Sequence, residues 1–239
     1  MLKAILDFIL PPHCSVCSNL LASKEKAVCE NCFNSISVIV PPFCERCGSP
    51  GDAVCNDCIL HPHKFTRARA IGKYTDILRD LVLLFKYRRK ISIGRKLGTL
   101  LGKIIQNDEL LAKADAIIPV PLYPVAKRVR GYNQSEILCT EISTLTNIPT
   151  ITGVLLQKRP TKPQKSIGSP ESSLDEQREK RKLNVKDAFK VKKNERVKGK
   201  KLILVDDVCT TGATLDECAG ELYNAGASDV YAAVVARAV

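Results

Sequence analysis

Eight of the chain's eleven cysteines stand between positions 14 and 58 as four Cys-x-x-Cys pairs: Cys14/Cys17, Cys29/Cys32, Cys44/Cys47 and Cys55/Cys58. Such a turn puts two thiolates on one side of a tight knuckle, and two knuckles complete the four-sulfur tetrahedron that zinc accepts. Paired in sequence, Cys14, Cys17, Cys29 and Cys32 hold one ion and Cys44, Cys47, Cys55 and Cys58 a second; an interleaved pairing satisfies the spacing as well. A disulfide framework would need an oxidising compartment and an export signal. Residues 1–10 carry Leu2, Ile5, Leu6 and Ile9, but Asp7 interrupts them and no small-residue cleavage site precedes Cys14, so they read as a short amphipathic helix. Closed four-sulfur sites leave no coordination position free, which makes both zinc ions structural. His13, His61 and His63 are surplus to them. The module is too small for a sizeable apolar core, so metal must supply much of its stability.

The second signal is Leu202-Ile203-Leu204-Val205-Asp206-Asp207-Val208-Cys209-Thr210-Thr211-Gly212-Ala213-Thr214. The apolar run at 202–205 predicts a central strand buried on both faces, with Asp206 and Asp207 at its carboxyl end, the edge where open α/β sheets bind ligands. Leu215, Cys218, Ala219, Leu222 and Tyr223 then recur with helical period until Gly226, so residues 210–214 open a helix. Its N-terminal donors suit a phosphate dianion, Thr210, Thr211 and Thr214 add hydroxyls, and Gly212 admits close approach. Two carboxylates would repel that phosphate at contact, so they fit as acceptors for hydroxyls one sugar ring away. No Gly-Lys-Ser or Gly-Lys-Thr is present, which excludes a Walker-type loop. The segment resembles the phosphoribosyltransferase signature. The resemblance implies phosphoribosyl pyrophosphate (PRPP) with Mg2+ as ligand, the acids holding the ribose hydroxyls and the 208–214 turn the 5-phosphate.

Between the two signals the pattern is α/β. Residues 67–73 suit an entry strand, Asp76 caps a helix carrying Ile77, Leu78, Leu81, Val82, Leu84 and Phe85, and a second helix covers residues 93–106. Residues 116–121 form a buried strand that breaks at Pro119 and Pro121. Asn133 and Glu136 have the form of a capping box opening a helix through Thr146, which aims Arg128 and Arg130 at the edge that holds Asp206 and Asp207. Residues 159–184 have no apolar period and read as a long basic loop, placed as a flap over the site. Residues 187–191 and 229–237 supply returning strands. Cys139 and Cys218 are expected in the core, and Cys209 as a loop spacer.

Charge sharpens the picture. The formal net charge of +12 falls to about +8 once eight thiolates surround two zinc ions. Residues 158–201 hold 16 Lys or Arg against 6 Asp or Glu, and Lys86, Arg88, Arg89, Lys90, Arg95, Lys96 and Lys103 form a second basic stretch. Either can attract a nucleic-acid backbone or a pyrophosphate, or be simply a solvated face. The absence of Trp and only 5% aromatics argue against an aromatic stacking platform as the main binding device. No apolar run approaches a membrane span.

The zinc knuckles, Pro119-Val120-Pro121, Arg130-Gly131-Tyr132-Asn133-Gln134, Gln164, Arg181, Asn184, Ala188-Phe189 and the 202–214 segment together resemble the ComF family over essentially the whole chain. That resemblance implies a type I phosphoribosyltransferase-like, doubly wound parallel sheet in residues 65–239, preceded by a small double zinc ribbon in residues 1–64. It implies a cytoplasmic protein of natural competence that assists uptake of single-stranded DNA beside a helicase partner. On this reading Asp206 and Asp207 are catalytic, Val208, Cys209, Thr210, Thr211, Gly212, Ala213 and Thr214 bind phosphate, and Lys86, Arg128 and Arg130 neutralise the leaving pyrophosphate. The alternative is a non-catalytic nucleic-acid adaptor whose turn senses PRPP or a DNA 5-phosphate. The lysine-rich flap departs from the family pattern, and the sequence names no acceptor and no general base.

Overall fold

The computed structural model describes residues 11–22, 27–51, 53–161 and 174–238; the helix read in residues 1–10, and Gln164, lie outside them. The strands are β1 (Arg67–Lys73), β2 (Ala116–Pro119), β3 (Leu155–Gln157), β4 (Phe189–Val191), β5 (Lys201–Cys209) and β6 (Asp229–Arg237). Four of them build one parallel sheet in the order β1-β6-β5-β2, so the carboxyl ends of β2 and β5 lie at one edge.

Both faces of that sheet are covered, which is why its central strands are unbroken apolar runs. Ile203 and Val205 join Tyr231, Ala233 and Val235 in one core; Leu202 and Leu204 join Val230, Ala232 and Val234 in the other. Beyond two short ribbon helices, α1 (Glu30–Asn34) and α2 (Asn56–Leu60), the first core is roofed by α3 (Asp76–Tyr87), α4 (Ile91–Gln106) and α6 (Gln134–Thr146), with the short α5 (Pro124–Arg130) before the last of these. Close approach of α4 to α6 requires a glycine, because a Cβ on Gly98 would lie 2.8 Å from the Glu141 Cβ. The second core is roofed by α8 (Ala213–Asn224), and α7 (Leu174–Val185) precedes β4.

Several expectations change in detail. β5 continues past the acids to Cys209, because β6 pairs with it as far as Cys209 opposite Arg237; Cys209 is thus a buried strand residue and not a loop spacer. The helix after it starts at Ala213, with Gly212 as its N-cap. Thr75, not Asp76, caps α3, and α4 opens two residues early at Ile91. Only half of the capping box forms: Asn133 accepts from the Ser135 N–H, while Glu136 pairs with Lys127. The second half of the expected flap is the helix α7, made of good helix formers without an apolar face. It is tied to the ribbon by Arg178 to Asp57 and by His61 to Asp175 at 3.4 Å. Residues 189–191 do not return to the main sheet; β4 pairs antiparallel with β3 in a separate arm.

The ribbon is docked on the rest of the chain. β1 is an edge strand, and its exposed ladder is covered where Ala68 N donates to Arg46 O at 2.6 Å and Ile39 N to Ile71 O at 2.8 Å. Arg69, buried in β1, pairs with Glu45 of the ribbon at 2.8 Å and with Asp108 at 2.7 Å. Among the described residues no helix is long and apolar enough to cross a membrane.

Candidate functional site

The eight knuckle cysteines gather as two sets, Cys14, Cys17, Cys29, Cys32 and Cys44, Cys47, Cys55, Cys58, with the sulfurs of each set within 4.8 Å of one another. Sequential pairing therefore holds and interleaving does not. The sulfur separations match a zinc tetrahedron, whose edges are about 3.8 Å for a Zn–S bond near 2.3 Å. Cys14 to Cys32 is 3.9 Å and Cys17 to Cys29 is 3.7 Å; Cys44 to Cys58 is 3.8 Å and Cys47 to Cys55 is 3.6 Å. None is a disulfide length. Backbone N–H groups prepare one thiolate in each set: although burial acts against the charge, donors including Cys17 and Cys29 hold Cys14 down at about 6, and Cys47 and Cys55 do the same for Cys44. The donor set and spacing fit structural zinc.

The acids stand side by side near the end of β5. Asp207 is buried and its Oδ1 lies 2.7 Å from Lys86 Nζ, delivered by the last turn of α3. Asp206 accepts from the Asp207 N–H at 2.8 Å and the Ser135 hydroxyl at 3.4 Å. Burial and the adjacent Asp207 push Asp206 up to about 7, with Lys86 and these donors opposing. Ser135 sits in the first turn of α6, whose cap Asn133 donates to Val120 O at 3.0 Å, so the β2 end and the acids are fixed to one helix terminus. Sequence reasoning took Asn133 and Glu136 for the helix start and passed over Ser135 between them.

Residues 210–212 form the turn between β5 and α8. Gly212 has φ +79°, and a Cβ there would lie 2.6 Å from His63 Cε1. The His63 side chain is buried, stacks on Phe65 at 4.4 Å and meets Asp216 through Nδ1 at 2.9 Å, while Lys64 N donates to the other Asp216 oxygen at 2.8 Å. Thr211 Oγ1 and His63 Nε2 are buried without a partner among the described residues. Val208, Thr210 and Thr214 are half-buried, and Ala213 and Cys209 are buried. A cradle of backbone donors and threonine hydroxyls thus opens α8, backed by an imidazole that sequence reasoning set aside as surplus to the metal.

Among the described residues no hydrogen bond or ion pair joins the expected Arg128 and Arg130 to Asp206 or Asp207. Arg128 is exposed and lines a cavity of about 590 Å³ with Pro119, Pro121, Lys127, Asn133 and Leu155. Arg130 lies over the Tyr87 ring at 5.7 Å. Both arginines lie in the last turn of α5, a helix without a buried residue, before Gly131 reverses the chain in a left-handed conformation. Lys86 is the cation paired with Asp207 among the described residues.

Comparison with known proteins follows these two parts of the chain. Residues 5–59 match the double zinc ribbon domain and residues 92–238 the phosphoribosyl transferase domain. Competence protein F of Haemophilus influenzae is 30% identical over 95% of this chain and 97% of its own length. The chain belongs to the ComF family. DNA utilization protein YhgH of Escherichia coli (strain K12) is 28% identical over 92% of this chain and 95% of its own length. Competence protein ComFC of Bacillus subtilis is 25% identical over 82% and 77%. The double zinc ribbon match contains all eight ligand cysteines, and the transferase match contains Asp206, Asp207 and the turn. Lys86 and His63 fall between the two matched segments and are two of the residues by which the intervening chain reaches the β5 end and the turn after it.

Proposed function

We propose that the chain binds PRPP with Mg2+ at the β5 end and acts as a phosphoribosyltransferase-type protein in natural competence, assisting uptake of single-stranded DNA. The carrying observation is one arrangement: adjacent carboxylates at the carboxyl edge of a parallel sheet, followed within the same turn by a glycine-capped helix N-terminus. Asp206 and Asp207 accept from the ribose hydroxyls, and the 208–214 turn receives the 5-phosphate through backbone N–H groups and the hydroxyls of Thr210, Thr211 and Thr214. Lys86, displaced from Asp207, meets the pyrophosphate together with Arg128 and Arg130. Mg2+, bound with the pyrophosphate, supplies neutralising charge there. In catalysis the C1–O bond breaks as the pyrophosphate leaves, and the sugar develops positive charge opposite the acids.

The DNA part of the reading rests on the relatives' names and on the basic 158–201 segment. Single-stranded DNA and a helicase are its partners, and thiolate-held zinc suits a reducing, cytoplasmic setting. The test is calorimetric titration of the zinc-loaded protein with PRPP and Mg2+, beside an Asp206→Asn, Asp207→Asn double variant. Heat in the wild type that the variant loses is expected. Silence from both sinks the PRPP reading and leaves the nucleic-acid adaptor, whose DNA affinity would fall steeply with added salt.

A further inference from the structure

Arg237, the last residue of β6, is 4% exposed, and its guanidinium touches both halves of the molecule. Nε donates to Ser49 Oγ at 2.6 Å and an Nη donates to Cys209 Sγ at 3.2 Å. Ser49 Oγ is 3.2 Å from Cys47 Sγ, a ligand atom of the second four-sulfur site, and is placed to donate to it as a thiolate. Contacts therefore run without a gap from that site through Ser49 and Arg237 to the last residue of β5. Ala238 N donates to Cys209 O at 2.8 Å, closing the strand end from which the 210–212 turn departs.

A buried guanidinium keeps its proton and needs a counter-charge. Burial works against its charge, and the groups that favour it are, in descending order, Cys209, Cys47, Cys58 and Asp57. Burial pushes the Cys209 thiol up to about 11, so it meets the guanidinium as a neutral acceptor. The other groups in that order, Cys47, Cys58 and Asp57, all belong to the ribbon. Four thiolates around Zn2+ carry a net double negative charge, so the loaded second site supplies counter-charge to Arg237 alongside Asp57.

We propose that Arg237 is a positioning residue that couples zinc at the second site to the shape of the phosphate turn, so that PRPP binding and zinc retention there reinforce each other. The coupling rests on the reading of residues 208–214 as a PRPP turn; the zinc-side role of Arg237 does not. The first site, whose Cys14, Cys29 and Cys32 pack into the other core, is the internal control.

The experiment measures zinc transfer from the full, zinc-loaded protein to a chromogenic chelator, with and without saturating PRPP and Mg2+, whose binding is followed by calorimetry. In the absence of ligand, Arg237→Met should speed release of one zinc equivalent about tenfold and leave the other unchanged, the size expected when a partner behind a metal ligand is lost. Ser49→Ala, which keeps the cation and removes only the bridge, should speed the same equivalent by about threefold. PRPP should slow that release by about fivefold in the wild type and not in Arg237→Met. If the latter variant misfolds and sheds both ions, Ser49→Ala decides. Wild-type release rates in both variants overturn the proposal whatever PRPP does. PRPP heat in the wild type with no change in zinc release overturns the coupling alone; absence of heat overturns the PRPP reading and the coupling with it.

Discussion

Lys86 Nζ and Asp207 Oδ1 lie 2.7 Å apart, with side-chain exposures of 20% and 10%. The pair joins the last turn of α3 to the end of β5. Burial disfavours the ammonium and Asp207 restores it, so the lysine pKa is raised above its ordinary value.

Removing one partner strands the other. Lys86→Met should lower stability by about 2 kcal/mol, or roughly 4–8 °C in melting midpoint, less than for a fully buried pair because both groups retain some water. Lys86→Met with Asp207→Asn should recover most of that loss, since neither charge is then left alone. Thermal melts of the three proteins decide it; a double variant no better than the single would show that Asp207 does not depend on Lys86.

Asp206 gives the protein a pH signature. Its folded-state pKa of about 7 lies above the ordinary carboxyl value of 3.8, so between these limits the native state binds more protons than the unfolded one. Its contribution to stability is therefore present below about pH 4 and is lost as pH rises through about 7. Asp206→Asn should match the wild type near pH 4 and melt roughly 10 °C higher at pH 8. Parallel melting curves across that range would contradict the raised pKa.

How much of this was legible varies with the kind of signal. The two metal sites, the buried strand at 202–205 and the acid-to-glycine turn were readable because ligand spacing and apolar runs are local properties of the chain. Pairing of the knuckles became unique only when the sulfur positions were known. Helix α5 was missed because its Val125 and Val129 are exposed and no residue in it is buried, leaving no apolar period to read. Lys86 was readable as a cation but not as the partner of Asp207, a contact across 121 positions that only the packing of α3 on the sheet creates. His63 and Arg237 gave no motif at all, since each matters through hydrogen bonds made 28 or more positions away.

Zinc loss should not melt the ribbon alone. Cys14, Cys29, Cys32, Leu21 and Val28 share one core with Leu78, Leu81 and Phe85 of α3, so the first site is part of the α/β packing. Chelation of both ions should therefore lower the melting midpoint of the whole chain, with the signal of the sheet lost in the same transition as the ribbon. A separate, unchanged transition after chelation would show that the α/β part stands without its metals.

Gly212 is held by two independent constraints, and a single substitution separates them. At φ +79° a Cβ is strained whatever the space around it, a penalty of about 1 kcal/mol. In addition that Cβ would overlap His63, whose ring is fixed by Asp216 on one side and Phe65 on the other. Gly212→Ala should therefore cost about 2–4 kcal/mol, beyond the dihedral penalty alone. His63→Ala in the Gly212→Ala background clears the space but not the torsion, so it should return about 1 kcal/mol of the loss while His63→Ala alone destabilises. Non-additivity of that sign in denaturant melts is the expected result; strictly additive losses would mean that the ring is not what the turn rests on.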